Sequence, residues 1–247
     1  MRFEEYGRDG AGTVVLLHGG GLGPWNYREE ARLLKDRFRV VLPVLDGHAG
    51  SGRPFTSIGD SAEEILRFLD ERFGGRVDLI GGLSLGGQVL LEVLARRRDV
   101  CRCAIVESAA VVPDRLTAAL VGLAFGLSGG LIANRAFAKL QFASLHMPGE
   151  LFEDYYRDTR AIAKSDLIAF TKASAEYSLN GAVAGTAAEV RVFAGEKEVR
   201  RILKSADALR SAIPGCRTAI LPGLRHGGFS LGRPDEYART VREMLGA

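Results

Sequence analysis

The run Val77-Asp78-Leu79-Ile80-Gly81-Gly82-Leu83-Ser84-Leu85-Gly86-Gly87 decides how the chain is read. An apolar stretch leads into a glycine pair, a serine stands at the turn, and helix-forming residues follow at once. A strand that passes into a helix this abruptly holds the serine at its apex in a strained conformation, with the hydroxyl clear of the main chain. Such a turn leaves no room for side chains two residues before and two after the serine, where Gly82 and Gly86 stand. Gly-x-Ser-x-Gly arises often by chance in a chain with 31 glycines. The strand before and the helix after are what make Ser84 a candidate nucleophile rather than a solvated turn serine.

Outward from this turn the same alternation repeats. Strand patterns stand at Val40–Val44, Ala104–Val106, Val190–Phe193 and Thr218–Leu221, and a continuous apolar run at Thr13–Leu17. Runs of this kind predict strands buried on both faces, as in a parallel sheet covered by helices. Helical patterns fall between them: Trp25 to Arg37, a segment capped by Asp60-Ser61 and running to Phe73, Ser84 to Arg98, Arg200 to Ala212, and a last one from Pro234. The expected fold is α/β, a doubly wound, mostly parallel sheet with right-handed crossovers.

Residues 111–188 break the alternation with helical patterns (Leu151 to Lys164, Asp166 to Ser178) and no clear strand. They read as a helical cap over the carboxyl end of the sheet, where ligands bind in open α/β folds. Residues 1–110 and 189–247 then form the core domain. Within the cap, Leu116 to Ala133 carries no charge and is bracketed by Arg115 and Arg135. Its length falls within the roughly 17–25 residues of a membrane span. Its glycines, and its place between two halves of one sheet, argue against stable membrane insertion. The expectation is a helix-break-helix that lines a lipophilic pocket, so that a charge at Leu123 or Phe125 would penalise longer acyl chains if those side chains face it.

Composition narrows the function classes. The 247 residues suit one large domain, and 33 basic against 30 acidic residues give a net charge of +3 with no basic block. The longest basic run, Arg96-Arg97-Arg98, sits at a helix end where cations complement the dipole, so a nucleic-acid partner is not expected. The three cysteines lack a second Cys/His cluster at zinc-ligand spacing, so no metal is expected. Reduced, mostly buried thiols and an N-terminus without an apolar signal core fit a cytoplasmic protein.

A serine hydroxyl needs a base to take its proton and a third group to orient that base. Of the four histidines, His18 reads as a ring tying together the His18-Gly19-Gly20-Gly21 loop and His48 as a loop-stabilising residue. His146 lies in the insertion, next to Met147-Pro148. His226 sits on a glycine-bracketed loop after the last strand, within reach of Ser84, and is the candidate base. The acid is expected between serine and histidine, after a strand end. Phe193-Ala194-Gly195-Glu196-Lys197-Glu198 offers Glu198 first and Glu196 second, and Glu107 is a third candidate at the end of the preceding strand. Backbone amides of Gly20, Gly21 and Leu85 are candidate donors to a developing oxyanion. The glycine loop lacks a phosphate-cradling pattern and an acidic ribose partner in register, so no cofactor is expected.

His18-Gly19-Gly20-Gly21, Gly82-Leu83-Ser84-Leu85-Gly86, the Gly195-to-Glu198 turn and His226, in that order, resemble the α/β-hydrolase superfamily over nearly the whole chain from Thr13. The resemblance implies an eight-stranded-type sheet with a helical cap inserted after the sixth strand. Two features depart from it. Relatives usually carry aspartate where Glu198 stands, and commonly Pro-Asp where Pro43 is followed by Val44, with Asp46 later. The expected function is a serine hydrolase with a small-molecule acyl substrate, cleaving an ester or thioester of a small, largely apolar acyl compound. Ser84, Glu198 and His226 would carry the reaction through an acyl-enzyme. The alternatives are a C–C bond hydrolase or acyltransferase on the same fold, or a ligand-binding sensor with negligible turnover.

Overall fold

In the computed structural model, which describes residues 1–8, 12–128 and 134–247, the apolar runs pair into one sheet. Its strands are β1 (Phe3–Tyr6), β2 (Gly12–Leu17), β3 (Phe38–Pro43), β4 (Val77–Leu83), β5 (Cys101–Glu107), β6 (Glu189–Gly195) and β7 (Arg217–Leu221). They lie in the order β1-β3-β2-β4-β5-β6-β7. β1 runs antiparallel on the β3 edge and every other pairing is parallel. The sheet therefore has seven strands among the described residues, not the eight expected. Phe3–Tyr6 is the single described strand ahead of β2, so the helical insertion follows the fifth strand rather than the sixth.

Nine α-helices flank the sheet among the described residues: α1 (Arg28–Leu34), α2 (Ile58–Phe73), α3 (Leu85–Arg96), α4 (Arg115–Ser128), α5 (Arg135–Leu145), α6 (Phe152–Thr159), α7 (Lys164–Glu176), α8 (Arg200–Ala212) and α9 (Pro234–Leu245). Because successive strand side chains point to opposite faces, β2 divides its apolar residues between two cores. Val15 and Leu17 join Ile65 and Leu69 of α2, Val89 and Val93 of α3, and Leu209 of α8. Val14 and Leu16 join Leu34 of α1 and Tyr237 and Val241 of α9. This double burial is why β2 reads as an unbroken apolar run, whereas β7, at the sheet edge, is not buried on both faces and leaves Ile220 exposed.

Helix boundaries differ from the sequence reading in several places; the helix expected over Leu151 to Lys164, for one, ends at Thr159. Pro24–Tyr27 forms a 3-10 turn before α1, instead of one helix from Trp25 to Arg37. The tighter turn lets Asn26 Oδ1 accept the Gly19 N–H at 3.2 Å. α2 is capped by Ser57, whose Oγ accepts the Asp60 N–H, because the buried stripe already begins at Ile58.

Residues 111–188 form helices only, among those described. Several hydrogen bonds tie them to the rest of the molecule. Trp25 Nε1 donates to Asp158 Oδ2 at 2.8 Å, and Phe55 N donates to Asp166 Oδ1 at 2.9 Å. Arg28 pairs with Asp154 at 2.9 Å, and Gln88 Nε2 donates to both Ala110 O and Ser174 O. α4 buries Ala118 and Val121, with Phe125 packed beside the first core, while Leu116, Leu120 and Leu123 point to solvent. The condition that Leu123 faces a pocket is thus not met. An uncharged stretch shows that a helix is apolar but not which way its wider faces turn. The expected break is not found over Leu116 to Ser128, which form one continuous helix, and the rest of the stretch, 129–133, lies outside the described residues.

Cys101 and Cys103 are buried and Cys216 is half-buried, and all three are free. Burial pushes the Cys101 thiol up to about 12, with Cys103 adding to the effect. Among the described residues, no helix is long and apolar enough to cross a membrane.

Candidate active site

The site is built from the ends of β4, β5, β6 and β7 and the loops that follow them. Ser84 lies between β4 and α3 with φ of 52° and ψ of −111°, a backbone state that costs an L-residue on the order of 1–3 kcal/mol. The flanking glycines are explained by close approach. A Cβ on Gly82 would overlap the Gly86 carbonyl, and one on Gly86 would overlap the carbonyl oxygens of Leu17 and His18. The strain at Ser84 is therefore held by backbone packed against backbone on both sides of the turn.

Ser84 Oγ stands 3.1 Å from His226 Nε2, and His226 Nδ1 stands 2.9 Å from Glu198 Oε2. Serine, histidine and glutamate thus form one hydrogen-bonded line, with Nδ1–H donating to the carboxylate and Nε2 open to the serine proton. Half of the His226 side chain is exposed, whereas the Glu198 carboxylate is almost wholly buried. Burial by itself would raise the Glu198 carboxyl; the hydrogen bond and charge of His226 and the Ser108 hydroxyl outweigh it and hold it below its ordinary value.

The other two acid candidates are occupied elsewhere. Glu196 Oε2 accepts the Gly223 N–H at 2.9 Å on the surface. Glu107 is buried and accepts the backbone N–H groups of Phe229 at 3.0 Å and Ser230 at 3.2 Å. Glu198 is placed by its loop: Glu198 N donates to Gly195 O, while Glu196 N and Lys197 N donate to Leu221 O and Leu224 O. Gly195 is needed because a Cβ there would overlap the Leu224 carbonyl. The acid loop and the histidine loop are consequently laced into one layer.

Sequence reasoning missed Ser108. It follows β5 with φ of 53°, donates its hydroxyl to Glu198 Oε1, and accepts the Gly227 N–H at 3.3 Å. A small polar residue just past a strand end beside an acid loop was the one signal available.

The glycine loop is held by two neutral histidines. His18 Nδ1–H donates to Gly19 O and its Nε2 accepts the Leu45 N–H. His48 Nδ1–H donates to Asp46 O and its Nε2 accepts the Gly21 N–H at 3.0 Å. Burial depresses His18 to about 3 and His48 to about 4, which keeps both rings uncharged as acceptors. Gly21 is the site residue whose placement differs most from expectation: its N–H is committed to His48. Gly20 lines the cavity, and Leu85 opens α3, so its N–H has no acceptor within the helix.

Ser84, Glu198 and His226 open onto a cavity of about 390 Å³ walled by Leu22, Leu83, Leu145, Met147, Val199 and Leu231, with His146, Lys197 and Arg225 at its polar side. Leu145, His146 and Met147 come from the end of α5, so the insertion supplies one wall. Among the described residues no group of three or more His, Cys, Asp or Glu side chains is arranged to hold a metal ion.

A seven-stranded, mostly parallel sheet with a serine at the β4–α3 elbow, an acid after β6 and a histidine after β7 defines an α/β hydrolase. Residues 14–240 match the alpha/beta hydrolase family, to which the chain belongs, and it is accordingly a hydrolase. It is 23% identical to the pimeloyl-[acyl-carrier protein] methyl ester esterase of Aromatoleum aromaticum, over 94% of this chain and 97% of that protein. Its fold is that of the enol-lactonase from Burkholderia xenovorans, with a TM-score of 0.79 at 18% identity over 100% of this chain and 96% of the other. It also matches the 2-hydroxy-6-oxo-6-phenylhexa-2,4-dienoate hydrolase of a Rhodococcus species, with a TM-score of 0.78 at 22% identity over 98% and 92% of the two chains.

Proposed function

We propose that the protein is a serine hydrolase that cleaves an ester or thioester of a small, largely apolar acyl compound through an acyl-enzyme. The observation that carries this reading is the line from Ser84 Oγ through His226 to Glu198, at 3.1 and 2.9 Å, opening into an apolar cavity. Ser84 Oγ attacks the carbonyl carbon as His226 Nε2 takes its proton. The carbonyl oxygen becomes an oxyanion facing the N–H groups of Gly20 and Leu85, each such donor contributing about 2.7–4 kcal/mol in a water-excluded site. Collapse breaks the bond to the alcohol or thiol, which leaves with the proton from His226. Water then attacks the acyl-enzyme, gives its proton to His226, and the carboxylic acid departs as Ser84 recovers its own.

Glu198 holds the His226 tautomer and offsets the charge that forms on the ring. Glutamate in place of the usual aspartate suits the buried seat that Ser108 and Gly195 provide for the carboxylate. We read residues 111–188 as a cap on a core of residues 1–110 and 189–247, because the end of α5 walls the cavity. The relative from Aromatoleum is named for a methyl ester, and an ester of an acyl chain is the bond class this cavity suits. Free, mostly buried cysteines favour a cytoplasmic setting.

The test is a fluorophosphonate probe followed by mass spectrometry. The expected result is a single adduct on Ser84, abolished in Ser84→Ala together with p-nitrophenyl ester hydrolysis. An unlabelled Ser84, or near-normal turnover in Ser84→Ala, rejects the reading and favours a binding protein.

A further inference from the structure

The carboxyl of Glu107 is fully buried, yet the proposed reaction does not use it. It stands at the end of β5, one residue before Ser108, and it carries the histidine loop. Its Oε1 accepts the N–H groups of Phe229 and Ser230, and its Oε2 also accepts from Ser230. Those amides lie three and four residues past His226. The next residue, Ser108, accepts the Gly227 N–H. Consecutive residues of one strand end therefore hold three of the four residues that follow the histidine.

Behind Glu107 lies a buried polar cluster. Tyr27 comes from the 3-10 turn, Glu30 from α1 and Tyr237 from α9. Glu30 Oε1 is buried without a hydrogen-bond partner among the described residues, and the two tyrosine rings pack together with centroids 5.6 Å apart. Burial first, and then the neighbouring acidic groups, push Glu30 well above the ordinary carboxylate range, and both phenols well above theirs. Both phenols are thus neutral around pH 7, and burial favours the neutral form of Glu30 as well. The charge of His226, on the loop that Glu107 holds, favours ionised Glu107. Glu107 is the member of the cluster that can bring a negative charge to the imidazole.

Resting on the Ser84–His226–Glu198 reading, we infer that Glu107 is a positioning residue for His226, holding its loop through the Phe229 and Ser230 amides and supporting the imidazolium from behind with a second carboxylate. Glu198 orients the ring directly; Glu107 acts through the loop and through its charge. Burial raises the Glu107 carboxyl to about 7, partly offset by the Ser230 and Phe229 hydrogen bonds, so the support switches on near neutral pH. An ionised acceptor also tightens both amide hydrogen bonds.

Glu107→Gln separates charge from shape, because the amide oxygen still accepts from Phe229 and Ser230. The expected result is a kcat ratio of wild type to Glu107→Gln near 1 at pH 5.5, rising to about tenfold at pH 8.5, with KM unchanged; tenfold is the scale of one pKa unit. A merely structural defect lowers kcat by the same factor at every pH, and a flat ratio overturns the inference. A second measurement needs neither the variant nor turnover. The His226 imidazole nitrogen shifts of the unmutated protein should show, besides the ring's own titration, a second inflection as Glu107 ionises. A single inflection overturns the inference even if Glu107→Gln fails to fold. Failure of the underlying reading is recognised separately, as an unlabelled Ser84 under the fluorophosphonate probe.

Discussion

Ser108 gives its hydroxyl proton to Glu198 Oε1, the oxygen that His226 leaves free. The acid is therefore gripped on both oxygens, by the ring on one side and by a strand-end serine on the other. Ser108 reaches it from a left-handed backbone, φ 53°, that a side-chain-bearing residue adopts only at a cost. Ser108→Gly should relieve that cost while removing the hydroxyl. A hydrogen bond to a charged acceptor contributes about 1.5–3 kcal/mol, so kcat should fall by roughly 10- to 100-fold. Ser108→Ala should lose as much activity and melt at a lower temperature than Ser108→Gly. Paired kcat and thermal-melt measurements check both; an active Ser108→Gly shows that Glu198 needs no second anchor.

Glu198→Gln keeps the shape of the acid but presents an amide that favours the wrong imidazole tautomer, which in a related triad costs about 10⁴ in rate. Glu196→Gln should stay within a few-fold of wild type, because Glu196 Oε2 caps only the surface amide of Gly223. Turnover of both variants with one ester separates the two. Comparable losses would mean that the loop fold, not the carboxylate at His226, was disturbed.

Chain-length preference should be set by the end of α5. Leu145 and Met147 wall the cavity, so kcat/KM should rise from acetyl to medium-chain p-nitrophenyl esters by about fourfold per methylene buried, the equivalent of about 0.8 kcal/mol. Met147→Asp should penalise the longer esters selectively. Leu123→Asp should not, since that side chain is 62% exposed. A profile flat from acetyl onward would show that the apolar walls contribute nothing to acyl recognition.

Stability should fall in acid. His18 and His48 take up a proton in the unfolded chain at about 6.5 but in the folded protein only at about 3 and about 4. Their contribution is complete above pH 6.5 and is lost as pH falls towards those values, at roughly 1.4 kcal/mol per pH unit for each ring. Glu107 has the opposite sign. With its folded value raised to about 7, it stabilises fully below about 4.5 and loses that contribution as pH rises through 7. Urea midpoints should rise steeply from pH 4.5 to 6 and then level off to pH 8, where the Glu107 loss roughly cancels what the two histidines still gain. In Glu107→Gln the midpoint should keep rising from pH 6 to 8.

The parts legible in the sequence are those with short-range causes. The double burial of β2 appears as an unbroken apolar run, and the crowding at Gly82 and Gly86 appears as glycine around Ser84. Ser108 was not legible, because its task is set by a neighbour 90 residues away along the chain. That meeting depends on the register that pairs Glu107 with Phe193. The Gly21 N–H was misassigned for the same reason, its acceptor being His48 on a different loop. Leu116, Leu120 and Leu123 show a third limit: composition records that a helix is apolar, while the direction of each face is settled by what packs beside it.

β5 and β6 are hydrogen-bonded neighbours, with Cys103 opposite Glu189 and Glu107 opposite Phe193. The two strands are parallel, so the chain leaves the sheet at the carboxyl end of β5, opposite Phe193, and returns one strand over at the amino end of β6, opposite Cys103. Everything between is, topologically, a single excursion hung from one seam, and each doubling of such an excursion's length adds only about 0.6 kcal/mol of closure entropy when it is flexible. Ser84, Glu107, Glu198 and His226 all lie outside it and Ser108 is its first residue, while Leu145 and Met147 lie well inside. Recombination at that seam would exchange the wall that selects the acyl group and leave the residues proposed to break the bond untouched, so substrate range and bond chemistry are free to be inherited separately.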